Sequence, residues 1–382
     1  MSQHPLNNHK TAVGRWAGLG PYYAMFPTDF AFQVIEEFSR PGDAVFDPFA
    51  GRASSVYAAS MLEREAVGIE INPVGWLYGR VKLNPSSKNR VVKRLKEIGD
   101  IADSQQHSRL EGMHEFFHCC YAPKVLNFLL YARDLLKWRE SNVDATLMAL
   151  ILVNLHGKKE GSLSNQMRQG KAMSPDYSIR WWKDNNSEPP QLDPVDFLSK
   201  KIDWRYAKGT PKGQPSSVIL GDSTKVISKL GANIKNGKQR PFNLMFTSPP
   251  YREITDYHYD QWLRLWMLGG TAWAHRTGKL WQGRFSSKIA YKELLLSVFR
   301  GCANVLTDNA ILYVRTDARS FTYETTFSIL RQIFPRKSVE IIQRPFLKRT
   351  QTALFGDSAK KPGEVDLILR PNQSNPSLPS FT

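Results

Sequence analysis

The consecutive residues Ser248, Pro249, Pro250 and Tyr251 have the clearest chemical potential in this sequence. They follow the apolar run 242–245, which predicts a buried strand, and neither proline can continue a sheet ladder because each lacks a backbone N–H. The Ser248 hydroxyl and the Pro249 carbonyl can accept the hydrogens of an exocyclic amino group, while the Tyr251 ring stacks on a planar base. An ordinary strand–turn with two prolines is the alternative.

A second group of polar residues follows two predicted strands near the N-terminus. The strand 44–46 leads into Asp47 and Gly51, and the strand 66–69 ends in Glu70, with a helix predicted after each. This repeat predicts the first half of a doubly wound, Rossmann-like α/β sheet. Gly51 lets the backbone approach a ligand at a helix N-terminus, and Glu70 is placed to accept hydrogen bonds from a ribose diol.

An adenosyl group without phosphates is the ligand that this half predicts. The separation of Gly51 and Glu70 is close to the roughly 20 residues of nucleotide-binding halves. The segment Gly51-Arg52-Ala53 departs from the glycine pattern of dinucleotide sites, however, and no phosphate-binding Lys-Ser/Thr pair follows. A third predicted strand, 217–220, leads to Asp222, which can accept hydrogen bonds from an adenine amino group.

Charge and composition favour a polyanionic partner in a reducing compartment. The 382 residues include 52 Lys and Arg against 35 Asp and Glu, a formal charge of +17. Nucleic acid is the commonest partner at such a charge, and a basic enzyme that binds none is the alternative. Three cysteines without a CxxC pair, no signal peptide and no run of about 18 apolar residues predict a soluble cytoplasmic protein without membrane contact.

Four segments describe the expected domain organisation. They are a cofactor-binding half (1–84), a helical and irregular insertion (85–215), a catalytic half (216–370) and a disordered tail (371–382). Helices are predicted at 88–102, 125–136 and 145–155, and a polar, irregular stretch at 156–213. Basic, amide and aromatic side chains interleave in that stretch, which predicts DNA contact; a solvated surface loop is the alternative. Strands 339–342 and 365–369 are expected to form a closing pair.

Together these motifs resemble those of S-adenosylmethionine-dependent DNA amino methyltransferases. The segment Asp47-Pro48-Phe49-Ala50-Gly51 resembles the family's cofactor motif Asp-Pro-Phe-x-Gly-x-Gly, with Ala53 in place of the second glycine. The remaining matches are the acidic motif 68–73, the adenine motif 221–223, the catalytic motif 247–251 and the cofactor-capping turn 26–27. Their order resembles the family's alpha-type arrangement, although the usual insertion follows the Asp222 strand and here it precedes it.

The resemblance implies a mechanism and a set of site residues. The target base is flipped out of double-stranded DNA, Tyr251 stacks on it, and Ser248 and the Pro249 carbonyl hold its amino group for direct methyl transfer. Cysteine catalysis is not expected, and no metal site is predicted at His114 to Cys120. The residues implied in cofactor binding are Phe26, Pro27, Asp47, Pro48, Phe49, Gly51, Glu70, Asn72, Asp222 and Ser223.

The sequence leaves several hypotheses about the substrate open. Serine at the first motif position favours the N4 amino group of cytosine, with adenine N6 as the first alternative. An RNA amino methyltransferase and a catalytically silent DNA-binding protein are the others. A separately encoded restriction endonuclease is a conceivable partner, and the sequence leaves the oligomeric state open.

Overall fold

A seven-stranded sheet forms the centre of the computed structural model, which describes residues 9–21, 26–105, 107–170, 172–252, 257–273, 287–345 and 363–372. The strand order is β3-β2-β1-β4-β5-β7-β6. All neighbouring strands are parallel except that β7 runs antiparallel to both β5 and β6. The strands are β1 Ala44–Asp47, β2 Glu65–Glu70, β3 Ser216–Leu220, β4 Phe242–Thr247, β5 Leu306–Asp317, β6 Lys337–Arg344 and β7 Glu364–Pro371. The predicted doubly wound α/β fold is confirmed.

Helices cover both faces of this sheet. Strand side chains alternate between the faces: Val45 and Phe246 point towards one core, and Phe46 and Met245 towards the other. The helices that flank the sheet are α1 Ala12–Ala17, α2 Thr28–Phe38, α3 Ser54–Met61, α4 Pro73–Leu83, α11 Ser223–Lys235, α14 Lys288–Ala303 and α15 Ser320–Ile333. The first core includes α2, α3 and α4, and the second includes α11, α14 and α15.

A helical insertion lies between α4 and β3. Its helices are α5 Lys88–Ser104, α6 Glu115–Cys120, α7 Pro123–Leu135, α8 Asn142–Asn154, α9 Pro175–Asp184 and α10 Pro194–Tyr206. The three helices predicted here are confirmed as α5, α7 and α8, and α8 is buried on nearly all sides. The insertion packs on the sheet domain through α4, which contacts α8.

The prediction that 156–213 is irregular throughout was wrong, because α9 and α10 lie within it. Each helix has a proline in its first turn, where the missing N–H has no helical partner to lose. The Asp193 side chain caps α10 by accepting from the Asp196 amide at 2.9 Å. Both helices consist mostly of polar side chains and each buries only a few apolar ones, so their composition is typical of a polar loop.

Two short helices follow the Ser-Pro-Pro-Tyr segment. They are α12 Tyr257–Asp260 and α13 Trp262–Met267, which meet at Gln261. The buried rings of Trp262 and Trp266 pack against aromatic rings of α6 at centroid distances of 5.0 and 4.5 Å. The chain that leaves the Ser-Pro-Pro-Tyr segment is therefore anchored to the insertion.

The chain ends of the described region show smaller differences from expectation. Helix α2 begins at Thr28, with Pro27 as its N-cap and no side-chain capping bond at that position. Strands β6 and β7 form the predicted closing pair, and β7 continues to Pro371. The predicted tail lies outside the described residues from position 373 onward. In the described part of the chain, no helix is long and apolar enough to cross a membrane.

Candidate active site

The strand order reverses between β1 and β4, and the two predicted motifs meet there. From this point the chain winds outward through β2 and β3 on one side and through β5 on the other. In open α/β sheets, ligands bind at the carboxyl ends of strands beside such a reversal. Asp47 ends β1 and Thr247 ends β4, and the Thr247 hydroxyl donates to Asp47 Oδ1 at 2.6 Å. This bond joins the predicted cofactor motif to the predicted catalytic motif.

Asp47 organises the loop that follows β1. Its side chain is 1% exposed and also accepts from the Ser55 hydroxyl and, at 3.0 Å, from the Phe49 amide. Burial raises the pKa of Asp47 to about 6, although the hydrogen bonds from Ser55, Thr247 and Phe49 partly offset it. The carboxyl group thus holds the start of α3 and the end of β4 together.

Glu70 lies at the end of β2 and contacts the glycine loop directly. Its Oε2 accepts from the Gly51 amide and its Oε1 from the Asn72 amide, both at 2.7 Å. Burial raises the pKa of Glu70 to about 8, against the opposing effect of these amide bonds. No ion pair to Glu70 or Asp47 occurs among the residues that the structure describes. The two buried carboxyl groups therefore suit a ligand that brings hydroxyl donors or positive charge.

Four more of the predicted cofactor residues hold loops in place. Asn72 caps α4 by accepting from the Val74 amide at 2.9 Å, and Asp222 caps α11 by accepting from the Thr224 amide at 3.0 Å. The Ser223 hydroxyl donates to the Pro48 carbonyl and so links the end of β3 to the Asp47 loop. These bonds bring the three strand ends together, while direct contact of these side chains with a cofactor stays a prediction.

The aromatic residues predicted at the cofactor site lie on two sides of the sheet. Phe26 stacks on Phe246 of β4, with ring centroids 4.7 Å apart and planes 16° apart, and Pro27 is exposed at the start of α2. Phe49 is half-buried and packs against the opposite core. The structure therefore brings Phe26 to strand β4, which precedes the predicted catalytic motif, and not to Phe49.

Two small residues shape the glycine loop region, and sequence reasoning noted Ala53 only as a departure from the family pattern and did not single out Gly75. Ala53, where the family pattern has its second glycine, adopts a left-handed conformation with φ 60° and ψ 44°. Gly75 of α4 lies so close to the loop that a Cβ atom there would be 2.7 Å from the Gly51 carbonyl oxygen. Glycine inside a predicted helix was the available signal for Gly75, since it lowers helix stability without an evident reason.

The predicted catalytic motif forms a series of hydrogen bonds that ends on strand β7. Pro249 is buried, whereas Ser248, Pro250 and Tyr251 are half-buried. The Ser248 hydroxyl donates to the Tyr251 hydroxyl at 3.3 Å, and the Tyr251 hydroxyl donates to Glu364 Oε1 at 2.9 Å. Burial, with the charge of Glu364, raises the pKa of Tyr251 well above its ordinary value, so the phenol keeps its proton.

Glu364 belongs to an ion-pair network with Arg315 and Asp366. Arg315 of β5 lies 3.3 Å from Glu364 Oε2, and its Nε donates to Asp366 Oδ1 at 2.6 Å. The same guanidinium covers the Phe30 ring at 3.5 Å. A cavity of about 330 Å³ adjoins this network; its lining includes Phe30, Glu37, Tyr313, Arg315, Arg344 and Glu364. Sequence reasoning missed the whole network, because Glu364 follows Tyr251 by 113 positions and no motif marks it.

Comparisons with known proteins support the sequence resemblance. Residues 2–74 match a family model described as DNA methylase. The Type II methyltransferase M.BsoBI of Geobacillus stearothermophilus is 23% identical over 293 residues, which are 69% of this chain and 54% of that protein. M.SmaI of Serratia marcescens is 42% identical over 53 residues, 14% of this chain and 18% of that protein. M.MjaI of Methanocaldococcus jannaschii is 34% identical over 76 residues, 20% of this chain and 22% of that protein.

These matches support a DNA amino methyltransferase and leave cytosine N4 and adenine N6 unresolved. The chain spans about half the length of M.BsoBI and less of the other two relatives. Among solved structures, the rRNA methyltransferase aviRa of Streptomyces viridochromogenes is 12% identical with a TM-score of 0.34, covering 95% of this chain and 96% of that one. A TM-score this low supports no statement about substrate.

Proposed function

We propose that the protein is a site-specific DNA methyltransferase that transfers a methyl group from S-adenosylmethionine to the N4 amino group of a flipped cytosine. The observation that carries the proposal is the Thr247–Asp47 bond at the strand-order reversal. Through it, the residues suited to an adenosyl ligand and the residues suited to an exocyclic amino group share one edge of one sheet. The DNA methylase match over residues 2–74 supports the same class of reaction.

The residues beside β1 and β2 fit S-adenosylmethionine. Glu70 and Asp47 are buried carboxyl groups with raised pKa values and no cationic partner among the described residues. A ribose diol supplies hydroxyl donors to Glu70, and the sulfonium group supplies positive charge to this acidic surrounding. Gly51, with φ 55°, keeps the loop narrow where an adenosyl group approaches. When bound, this cofactor supplies an electrophilic methyl group.

The chain's own residues orient the accepting base. The Pro249 carbonyl and the Ser248 oxygen accept the amino hydrogens, which turns the nitrogen lone pair away from them and towards the cofactor side of the sheet edge. Tyr251 stays neutral and presents its ring to the base. Such positioning of two reactants supplies a large part of the rate acceleration in enzymes of this kind.

The insertion supplies the proposed DNA contacts. Tyr177 and Trp181 lie one helical turn apart on α9 and are 46% and 37% exposed, with exposed Arg180 between them in sequence. Exposed aromatic rings beside arginine suit nucleic-acid contact. Lys183 on the same helix is less suited, because its Nζ lies 2.5 Å from Glu115 Oε1. Helix α9 packs on α6, which also holds α13 behind the catalytic motif.

Nucleoside mass spectrometry of DNA incubated with the protein and S-adenosylmethionine tests the proposed product. We expect N4-methylcytosine. N6-methyladenine would leave the site and mechanism in place but overturn the base preference inferred from Ser248. If the cofactor binds and no base in DNA of varied sequence is methylated, the proposal of DNA methylation is wrong. The same assay with RNA then tests the alternative of an RNA amino methyltransferase.

A further inference from the structure

We infer that Glu364 is a positioning residue whose carboxylate, acting through Tyr251, fixes the Ser248 hydroxyl as a hydrogen-bond acceptor and so makes the site select amino over carbonyl groups on the target base. The inference rests on the proposed function, because it concerns how that same site chooses its substrate. The motif alone assigns Ser248 and Tyr251 separately, and it includes nothing from strand β7.

The direction of the hydrogen bonds from Ser248 through Tyr251 follows from the carboxylate of Glu364, the last group in the series. The Glu364 carboxylate can only accept, so the hydrogen between Glu364 Oε1 and the Tyr251 oxygen, 2.9 Å apart, belongs to Tyr251. The Tyr251 oxygen then has only lone pairs to offer to Ser248. Its partner at 3.3 Å, the Ser248 hydroxyl, must supply the hydrogen of that contact. Both hydroxyl hydrogens are thus directed towards Glu364.

The Ser248 hydroxyl can then only accept a hydrogen bond from a bound base. A serine hydroxyl has one hydrogen and two lone pairs, and here the hydrogen is committed to Tyr251. An amino group on the base can donate to the free lone pair. A carbonyl oxygen at the same place meets lone pair against lone pair, an unsatisfied contact that lowers binding by roughly tenfold to a hundredfold.

Arg315 holds the Glu364 carboxylate in the position where it accepts from Tyr251. Its guanidinium lies 3.3 Å from Glu364 Oε2 and is fixed on its other side by Asp366, at 2.6 and 2.8 Å. Arg315 is 6% exposed and Asp366 is fully buried, so this anchor is shielded from water. The guanidinium thus lies beside the oxygen of Glu364 that Tyr251 does not use, and a carboxylate in this position can only accept from the two hydroxyl groups.

The test begins with the wild-type protein and DNA of varied sequence, so that the methylated position is located. Two duplexes are then made, one with the natural target base and one in which its amino group is a carbonyl, uracil for cytosine or hypoxanthine for adenine. Wild-type protein should bind the amino duplex roughly ten to a hundred times more tightly than the carbonyl duplex. Tyr251→Phe and Glu364→Ala should each narrow that preference about tenfold, since the Ser248 hydroxyl can then rotate and donate to a carbonyl.

A double-variant cycle separates this role from a general loss of structure. Tyr251→Phe and Glu364→Ala should each lower kcat about tenfold, and the combined variant should also lose about tenfold rather than a hundredfold, because both act through one chain. Glu364→Gln should recover part of the loss, because its amide oxygen still accepts from Tyr251. The matched control is Tyr313→Phe, which removes a hydroxyl that donates to Asp366 at 2.6 Å and does not contact Ser248.

The outcomes of these experiments distinguish a failure of the inference about Glu364 from a failure of the proposed function. An active wild-type enzyme whose preference for the amino duplex is unchanged in Tyr251→Phe and Glu364→Ala overturns the inference and leaves the proposed function standing. Additive losses in the double variant, or an equal change of preference in Tyr313→Phe, overturn it as well. A wild-type protein that methylates no DNA overturns the proposed function, and the inference with it.

Discussion

The two halves of the candidate site are held in place by different kinds of interaction. On the cofactor side, Glu70 is fixed by the backbone amides of Gly51 and Asn72, all within a stretch of 22 consecutive positions by their numbers. On the base side, the half where the base is proposed to bind, Tyr251 donates to Glu364 of β7, and Glu364 pairs with Arg315 of β5. The Glu70 contacts are therefore local and made to backbone, whereas the Tyr251 contacts belong to a long-range network of charges.

This difference affects how the protein responds to substitutions and how much of each half can be predicted from the sequence. The contacts of Glu70 with the Gly51 and Asn72 amides involve only neighbouring loops. An ion-pair network built around a fully buried carboxylate is sensitive to the loss of any partner, since the remaining charge is left without compensation. Substitutions on the base side should therefore affect folding most, and substitutions on the cofactor side should affect ligand binding most.

The largest effect is expected from Asp366→Ala. Asp366 accepts from Tyr313, Arg315 and Arg344 at distances between 2.6 and 2.9 Å. Its removal leaves the Arg315 guanidinium buried without its main partner and should lower the free energy of unfolding by about 3–5 kcal/mol, measured by urea denaturation.

Glu340→Ala is the matched control on the neighbouring strand. Glu340 forms a more exposed pair with Arg370 at 3.5 Å, so its loss should change the free energy of unfolding by less than about 1 kcal/mol. Equal effects of the two substitutions would show that the base side does not depend on its buried network.

A smaller effect on stability, with a larger one on ligand binding, is expected from Gly75→Ala. The added Cβ would lie 2.7 Å from the Gly51 carbonyl oxygen and 3.2 Å from Glu70 Cγ, so the loop must move. Such overpacking should cost about 1–3 kcal/mol of stability and weaken S-adenosylhomocysteine binding, measured by calorimetry.

Gly231→Ala provides the comparison for a helical glycine with space around it. A Cβ there meets its nearest atoms at 3.9 and 4.0 Å, and the substitution should stabilise α11 by about 0.5–1 kcal/mol. Unchanged affinity for S-adenosylhomocysteine in Gly75→Ala would contradict the assignment of the Gly51 loop to the cofactor.

The last effect is a dependence of stability on pH that arises from Glu70. Its pKa rises from 4.5 to about 8 on folding, so the native state binds more protons than the unfolded state between these values. Its contribution to stability is therefore complete below about pH 4.5 and is lost as the pH rises towards 8, by at most about 1.4 kcal/mol per pH unit.

Glu70→Gln isolates this contribution because glutamine does not ionise. The free energy of unfolding of the ligand-free wild type, minus that of the variant, should fall between pH 5 and pH 8 and level off above it. A difference that rises with pH over this window would mean that Glu70 is charged in the folded protein at neutral pH.

The cofactor side could be predicted from the sequence because its signals are local. A strand, a loop with Gly51 and an acidic strand end at Glu70 are adjacent in the chain, and the parallel register of β1 and β2 brings them together. The double proline after β4 was equally legible, since proline ends a ladder whatever surrounds it. The left-handed conformation of Ala53 was hidden, because alanine seldom adopts it.

The base-side network could not be predicted in the same way. Strand β7 was expected as a closing strand, but its antiparallel register against β5, which sets Asp366 opposite Arg315, depends on the assembled sheet. Nothing near Glu364 in the sequence indicates that its side chain reaches Tyr251. Helices α9 and α10 were missed for another reason, since their apolar side chains are few and lie within a polar stretch.

Methyl transfer by wild-type protein and by Ser248→Ala, with binding of DNA and S-adenosylhomocysteine measured on both, tests the central claim most directly. We expect the variant to bind both ligands as the wild type does and to methylate DNA roughly a hundred times more slowly, since it loses a bond made to the reacting amino group. A Ser248→Ala variant that methylates DNA at the wild-type rate would contradict the assignment of this segment as the catalytic site.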